Sequence, residues 1–263
     1  MIRLEHVAKR LGGKDVLVDV NLEVPEGQTC VVIGRSGTGK SVLLKHISGL
    51  FSADRGRIWI DGEEISAMRE RHMARVRRKI GFLFQGAALF DSLTVGENVG
   101  FFLREQGGMS EREIAAAVAL NLERVKLPGI EHVMPADLSG GMKKRVGLAR
   151  ALTMNPRIIL YDEPTTGLDP ITADAINDLI IEMRDQLGMT ALAVTHDMAS
   201  AFKIGDRIVM LHQGRVVFDD SVENTKRTEN ALVRQFVEGR ASGPMTEDIL
   251  TPDLLVRREG QGG

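Results

Sequence analysis

The sequence predicts an α/β protein with a mostly parallel sheet, an antiparallel β subdomain at its start and an inserted helical subdomain. Three observations carry this. The run TCVVIG (29–34) is continuously apolar and β-branched, as a strand covered on both faces must be. Two further core-type runs, RIILYDE (157–163) and TALAVTH (190–196), bracket a helical pattern, ITADAINDLIIEMRDQL (171–187). The opening residues instead alternate.

Taken in order, Ile2, Leu4 and Val7, then Val16, Val18, Val20, Leu22 and Val24, read as short antiparallel strands about the turn GGK. After TCVVIG, KSVLLKHISGL has helical spacing and a glycine, Gly49, near its end. RKIGFLFQ (78–85) reads as a strand. From Asp91 to Asn155 the pattern turns helical, including SEREIAAAVALNLERV with its Ser-x-x-Glu capping box. DRIVMLHQGRVVFDD reads as a hairpin turning at Gly214 and ending the sheet. ENALVRQFVEGR makes one amphipathic helix, and the polar, glycine-rich remainder is expected to be extended. The expected domains are 1–90 (core and β subdomain), 91–155 (helical subdomain), 156–220 (rest of the core) and 221–263 (helix and tail).

Composition excludes several functions. The chain has 263 residues, 43% apolar and 27% charged, an ordinary balance for a globular protein. Aromatics make up 4% and the net charge is −2, which argues against a nucleic-acid surface. MIRLEHVAKR lacks the apolar stretch of a signal peptide, and no run approaches the ~18 apolar residues of a spanning helix. The lone Cys30 fits a reducing compartment.

The chemistry starts at Gly34-Arg35-Ser36-Gly37-Thr38-Gly39-Lys40-Ser41, a G-x-x-x-x-G-K-[ST] phosphate loop between a strand and a helix. Its glycines let backbone N–H groups approach phosphate oxygens, and the helix N-terminus adds positive potential. Lys40 is expected on the β- and γ-phosphates of a nucleotide, and the Ser41 hydroxyl on Mg²⁺. Asp162, ending a buried strand, offers a carboxylate to the same metal. Glu163 beside it stands where a base orients water. Alone, both acids also read as strand-end caps of the next helix.

A second Ser-Gly-Gly, at Ser139, Gly140 and Gly141, opens another helix whose Met142, Val146 and Ala149 are spaced to face a core. In isolation that is an ordinary capped helix. The fixed order LSGGMKKRVGLARAL, ILYDEP, GLDP, VTHD, following the phosphate loop, resembles the ATP-binding-cassette ATPases from about residue 2 to about residue 220.

That resemblance implies the phosphate-loop ATPase fold of the family. It also implies that the second receptor grips an ATP held by another copy, so two chains pack head-to-tail on two ATPs. It assigns Gln85 to the loop sensing Mg²⁺ and the attacking water, His196 to the γ-phosphate, and Asp169 to the loop crossing the dimer interface. Leu11 holds the place of the aromatic that usually stacks on adenine, which leaves base selectivity looser.

The segment FQGAALFDSLTVGENVGFFLRE (84–105), with YDEPTTGLDPITA and the tail ALVRQFVEGRASGPM, is similar to the Mce/Mla-type ATPases of phospholipid transport. That similarity implies an MlaE-like membrane permease, an Mce-domain lipid-binding protein reached through the complex, a STAS-domain regulatory subunit and a station on the cytoplasmic face of the inner membrane. Another cargo with the same motor is the alternative. MRERHMARVRRK (68–79), with six basic residues and one acid, reads as a solvated helix face or a headgroup contact.

Overall fold

The computed structural model describes residues 1–246, and the chain divides into a large unit, Met1–Asp219, and a small one beginning at Asp220. In the large unit, β1 (Ile2–Leu11) and β2 (Lys14–Val24) pair antiparallel. The strands β4 (Arg55–Ile60) and β5 (Glu63–Glu64) extend this sheet in the order β2-β1-β4-β5.

The expected short strands are in fact 10 and 11 residues long. Register shifts along β1 let the pairing continue past Leu4. Such irregularities strengthen local twist and change which side chains face inward. As a result Leu17 and Val20 are buried, while Val16 and Val18 fall out of phase. Val16 is thereby released to another role.

The second sheet has the order β10-β9-β3-β8-β7-β6. Its centre is parallel: β3 (Thr29–Ile33) lies between β8 (Thr190–Thr195) and β9 (Arg207–His212), and β7 (Ile158–Asp162) lies between β8 and β6 (Ile80–Leu83). Every residue of β3, β7 and β8 is buried, as continuous apolar runs require when both faces are covered. The edge strand β10 (Arg215–Ser221) follows the turn at Gly214. One apolar cluster joins the two sheets, with Leu4, Val20, Leu44, Ile58, Leu160, Leu192 and Leu211 among its members. Truncating a side chain as enclosed as Leu44 to alanine costs about 2–5 kcal/mol.

Helices α1 (Lys40–Ile47), α6 (Pro170–Leu187) and α7 (Met198–Ile204) belong to the parallel sheet, and α2 (Glu70–Arg77) precedes β6. The helical insertion holds α3 (Val95–Gln106), α4 (Glu111–Arg124) and α5 (Gly140–Leu152). The capping box at Ser110 and Glu113 is present, and Thr94 with Glu97 forms another. Fully buried Asn98 accepts from the Phe90 N–H at 2.8 Å and donates to the carbonyls of Phe90 and Leu93, fixing the turn before α3. The two sheets are tied together at Asp61, whose carboxylate accepts from Lys79 at 2.8 Å and from Arg157 at 2.7 Å.

In the small unit, α8 (Val222–Arg227) is capped by Ser221 and α9 (Ala231–Val237) by Asn230. The Gln235 side chain accepts from the Met245 N–H at 2.7 Å and donates to the Arg240 carbonyl and Thr246 hydroxyl. The first residues after the helix therefore fold back on Gln235 instead of extending. Residues 247–263, the rest of the expected extended tail, lie outside the described residues. Among the described residues no helix is long and apolar enough to cross a membrane.

Candidate functional site

The phosphate loop joins β3 to α1, and its geometry follows from close approach. Gly39 has φ +99°, and a Cβ there would stand 2.9 Å from the Val16 carbonyl oxygen, so only glycine closes this loop. Helix α1 then begins with no side-chain cap and no acid in its first turn. Its first N–H groups are left for another acceptor, which is the arrangement that binds anions. The contrast with α6 and α7, capped by Asp169 and Asp197, is plain.

Above the loop is a cavity of about 310 Å³ lined by Val16, Ser36, Gly37, Gly39, Lys40, Ser41, Val42, Gln85, Glu163 and His196. The buried Lys40 ammonium donates to the carbonyls of Gly34 at 2.7 Å and Arg35 at 3.1 Å. Thr38 donates to the same Arg35 carbonyl. Burial holds the Lys40 pKa below the usual lysine value despite the opposing pull of Glu163 and Asp162. An incoming anion relieves that cost.

Ser41 donates to Asp162 at 2.9 Å. Burial raises the Asp162 pKa above the ordinary carboxylate value, against the Ser41 hydrogen bond. A buried carboxylate, a hydroxyl and the amide of Gln85 are hard oxygen donors, the set that suits Mg²⁺.

Glu163 is held on both oxygens. Its Oε2 accepts from Thr166 at 3.0 Å and Thr195 at 3.2 Å, while Oε1 lies 2.9 Å from His196 Nδ1. Its backbone sits at φ 50°, a left-handed conformation costing a non-glycine residue on the order of 1 kcal/mol. The Glu163 N–H bond to the Val194 carbonyl at 3.0 Å holds it there.

Not every expected residue comes to this cavity. Ser139, Gly140 and Gly141 are outside its lining, as are Asp169 and Leu11. Leu11 stands at the end of β1, 36% exposed, and the apolar lining comes from Val16 and Val42. Gln85 lies beyond the strand it was expected to end, because β6 stops at Leu83.

The second Ser-Gly-Gly turn forms a separate surface. Ser139 caps α5, accepting from Met142 N–H at 3.3 Å, and exposed Gly140 follows it. A Cβ on Gly141 would lie 2.6 Å from Thr172 Cγ2, and the Thr172 hydroxyl donates to Asp169 at 2.6 Å. Asp169 also accepts from the N–H groups of Ile171 and Thr172, so within this chain it caps α6.

Residue patterning missed Lys144 and Arg150, two buried cations on α5. Burial draws the Lys144 pKa down to about 8. Their signal was readable: Lys144 falls one turn after Gly141 and one before Leu148, on the buried face.

A family model described as ABC transporter matches residues 17–166. The chain is 39% identical over 262 residues to the chloroplast protein trigalactosyldiacylglycerol 3 of Arabidopsis thaliana, covering 93% of this chain and 75% of that one. It is 36% identical over 245 residues to the intermembrane phospholipid transport system ATP-binding protein MlaF of Escherichia coli (strain K12), covering 93% and 91%. It is 40% identical over 244 residues to the probable ribonucleotide transport ATP-binding protein mkl of Mycobacterium tuberculosis, covering 93% and 68%.

Among solved structures, a dimeric post-hydrolysis ATP-binding cassette bound to ADP and Pi superposes with a TM-score of 0.77 at 35% identity, covering 84% of this chain and 99% of that one. A cassette of the cbiONQ transporter complex from Clostridium perfringens superposes at 0.79 with 29% identity, covering 91% and 95%. A phosphate loop, a clamped acid and a second Ser-Gly-Gly turn thus stand in a chain that belongs to the ABC transporter family, as an ATP-binding subunit that hydrolyses ATP to energise transport.

Proposed function

We propose that this chain is the ATPase of a transporter for phospholipid or a related hydrophobic lipid, working on the cytoplasmic face of an inner membrane. The observation that carries the cargo is the likeness to MlaF over nearly the whole of both chains. Its partners on this reading are a second copy of itself, an MlaE-like permease, an Mce-domain protein reached through the complex, and a STAS-domain regulatory subunit. Phe90 and Phe102, exposed beside the Gln85 loop and on α3, supply apolar surface for the permease.

The chemistry follows from the clamped acid. Glu163 is the base, orienting water and taking its proton as the water attacks the γ-phosphate of ATP. The fixed Thr166 and Thr195 bonds to Oε2 leave the Oε1 edge toward His196, so His196 and the attacking water share that side. Lys40 turns from the loop carbonyls to the β- and γ-phosphates. Ser41, Gln85 and Asp162 would hold Mg²⁺, which neutralises phosphate charge when bound.

The dimeric state of a similar solved cassette supports the reading that Ser139, Gly140 and Gly141 meet the γ-phosphate bound by a partner copy, with Asp169 at the seam. Closure then lasts only while the γ-phosphate is present, since a ligand shifts an equilibrium by its differential contacts. Arg35, Ser36, Gly37, Thr38 and Gly39 wrap the phosphates; Leu11, which the resemblance sets at the base, stands outside the cavity lining, and Val16 and Val42 supply its apolar wall.

A second reading keeps the motor and changes the cargo, favoured by the 40% identity to a protein named for ribonucleotide transport. Purification of the tagged chain from gently solubilised membranes, with mass spectrometry of proteins and lipids, separates the two. A permease with an Mce-domain protein and phospholipid is expected. A different permease without lipid refutes the lipid reading and leaves the ATPase.

A further inference from the structure

Helix α5 crosses both loops that face the γ-phosphate, and a single buried ammonium touches each. Lys144 is 5% exposed and donates to the main-chain carbonyl of Gln85 and, at 2.9 Å, to that of Glu163. Nothing about packing requires a cation there. An apolar side chain of similar length would fill the space without the desolvation cost of a charge; what it would lack is a donor for the Gln85 and Glu163 carbonyls.

Both loops carry left-handed residues, at Glu163 itself and two and three residues past Gln85. Glu163 has φ 50°, and Ala87 and Ala88, just past Gln85, have φ 60° and 50°. Left-handed backbone at non-glycine positions persists only where the surroundings over-determine it. From the same helix, Arg150 donates to the carbonyls of Ala87 at 2.8 Å and Ala88 at 2.7 Å. One helix therefore fastens the Gln85 loop at several carbonyls and reaches the acid with the same lysine. That helix is capped by Ser139, so Lys144 lies little more than one turn from the second Ser-Gly-Gly turn.

We propose that Lys144 is a positioning residue for ATP hydrolysis: it ties the Gln85 loop to the main chain of Glu163, so that movement of α5 or of that loop moves the base. The proposal rests on Glu163 acting as the base. In a closed pair, the partner's γ-phosphate seats α5 through Ser139, and the Lys144 bridge passes that seating to α5's own Glu163. The two sites of the pair then sense one another.

The test is steady-state ATP hydrolysis by the membrane-extracted complex carrying Lys144→Met, Lys144→Arg or Glu163→Gln. Lys144→Met is expected to lower kcat about tenfold or more with KM for ATP unchanged within about twofold, since a displaced base costs rate and not binding. Lys144→Arg, which keeps several N–H donors, recovers most of the rate. Amide exchange of the full chain reads the bridge directly: the segments around 85–88 and 163 exchange faster in Lys144→Met while the melting temperature stays near that of the unaltered chain.

Unchanged kcat in Lys144→Met, with Glu163→Gln inactive, overturns the bridge and leaves the base assignment standing. Native turnover by Glu163→Gln overturns the base instead. Equal losses in Lys144→Met and Lys144→Arg, with a lowered melting temperature, reduce Lys144 to a fold residue and refute the proposal. Should Lys144→Met fail to fold, Lys144→Gln replaces it; its shorter amide cannot span both carbonyls, so kcat falls, and an unchanged kcat refutes the bridge.

Discussion

The Ser41 hydroxyl donates to the Asp162 carboxylate at 2.9 Å, joining side chains 121 residues apart. Strand order explains the meeting. Ser41 follows β3 and Asp162 ends β7, and both strands flank β8 in parallel, so their C-terminal ends share one edge. Ligands of open α/β sheets bind at that edge.

Asp162→Asn is therefore expected to remove Mg²⁺-dependent hydrolysis by about 100-fold or more while leaving ATP binding measurable, because Lys40 and the loop remain. Chelation of the unaltered chain should reproduce the defect. Phosphate release and ATP binding, each with and without chelator, check this; hydrolysis that survives chelation would remove the metal from the reading.

Glu163→Gln keeps the size of the side chain and the bonds to Thr166 and Thr195, but loses the charge. Hydrolysis should fall by about 100- to 10,000-fold, and the ATP-bound pair should accumulate. Phosphate release and size-exclusion chromatography in ATP report the two effects. A variant turning over at the native rate disproves the base.

The separation of the two receptors makes a complementation test decisive. Lys40→Ala damages the phosphate loop and Ser139→Phe the second receptor, so each variant alone should be inactive. Mixed together they leave one composite site intact, and hydrolysis should return to a substantial fraction of the native rate. If each chain used its own Ser139, mixing would restore nothing.

Much of this site was legible in the sequence because its parts are local. The phosphate loop is a backbone requirement, and Gly39 obeys it through its approach to Val16. Likewise β3 and β7 are apolar throughout because both faces are covered. Roles defined by distant partners were not legible, even where helical spacing showed that the residue is buried. Lys144 matters through carbonyls 59 and 19 residues away, and Val16 reaches the cavity only because the register of β1 and β2 slips. The resemblance assigned Asp169 to the interface loop, and sequence reading did not find that within the chain it caps α6.

Stability should carry an acid signature at Asp61. Hydrogen bonding by Lys79, then the charges of Lys79 and Arg157, hold its carboxyl below 3.8. The folded pKa lies below the unfolded one, so the contribution is present above the unfolded value and is lost as pH falls below 3.8 toward the folded value. Asp61→Asn should lower the melting temperature by about 2–4 °C at neutral pH. Calorimetry of both proteins should show the gap closing below pH 3.8; a gap that persists undiminished would refute the linkage.

The thiol of Cys30, in the middle of the fully buried β3, has practical value beyond its packing. It is the sole cysteine in the sequence, and burial pushes its pKa up to about 12. Maleimides and other thiol reagents need exposed thiolate, so the folded chain is chemically silent to them. Cysteines placed at Ser36 and Ser139 could then be cross-linked without a background, reporting directly whether one copy's loop faces the other's receptor. Conversely, labelling of Cys30 itself times the opening of the central sheet, giving every variant above an internal clock for unfolding.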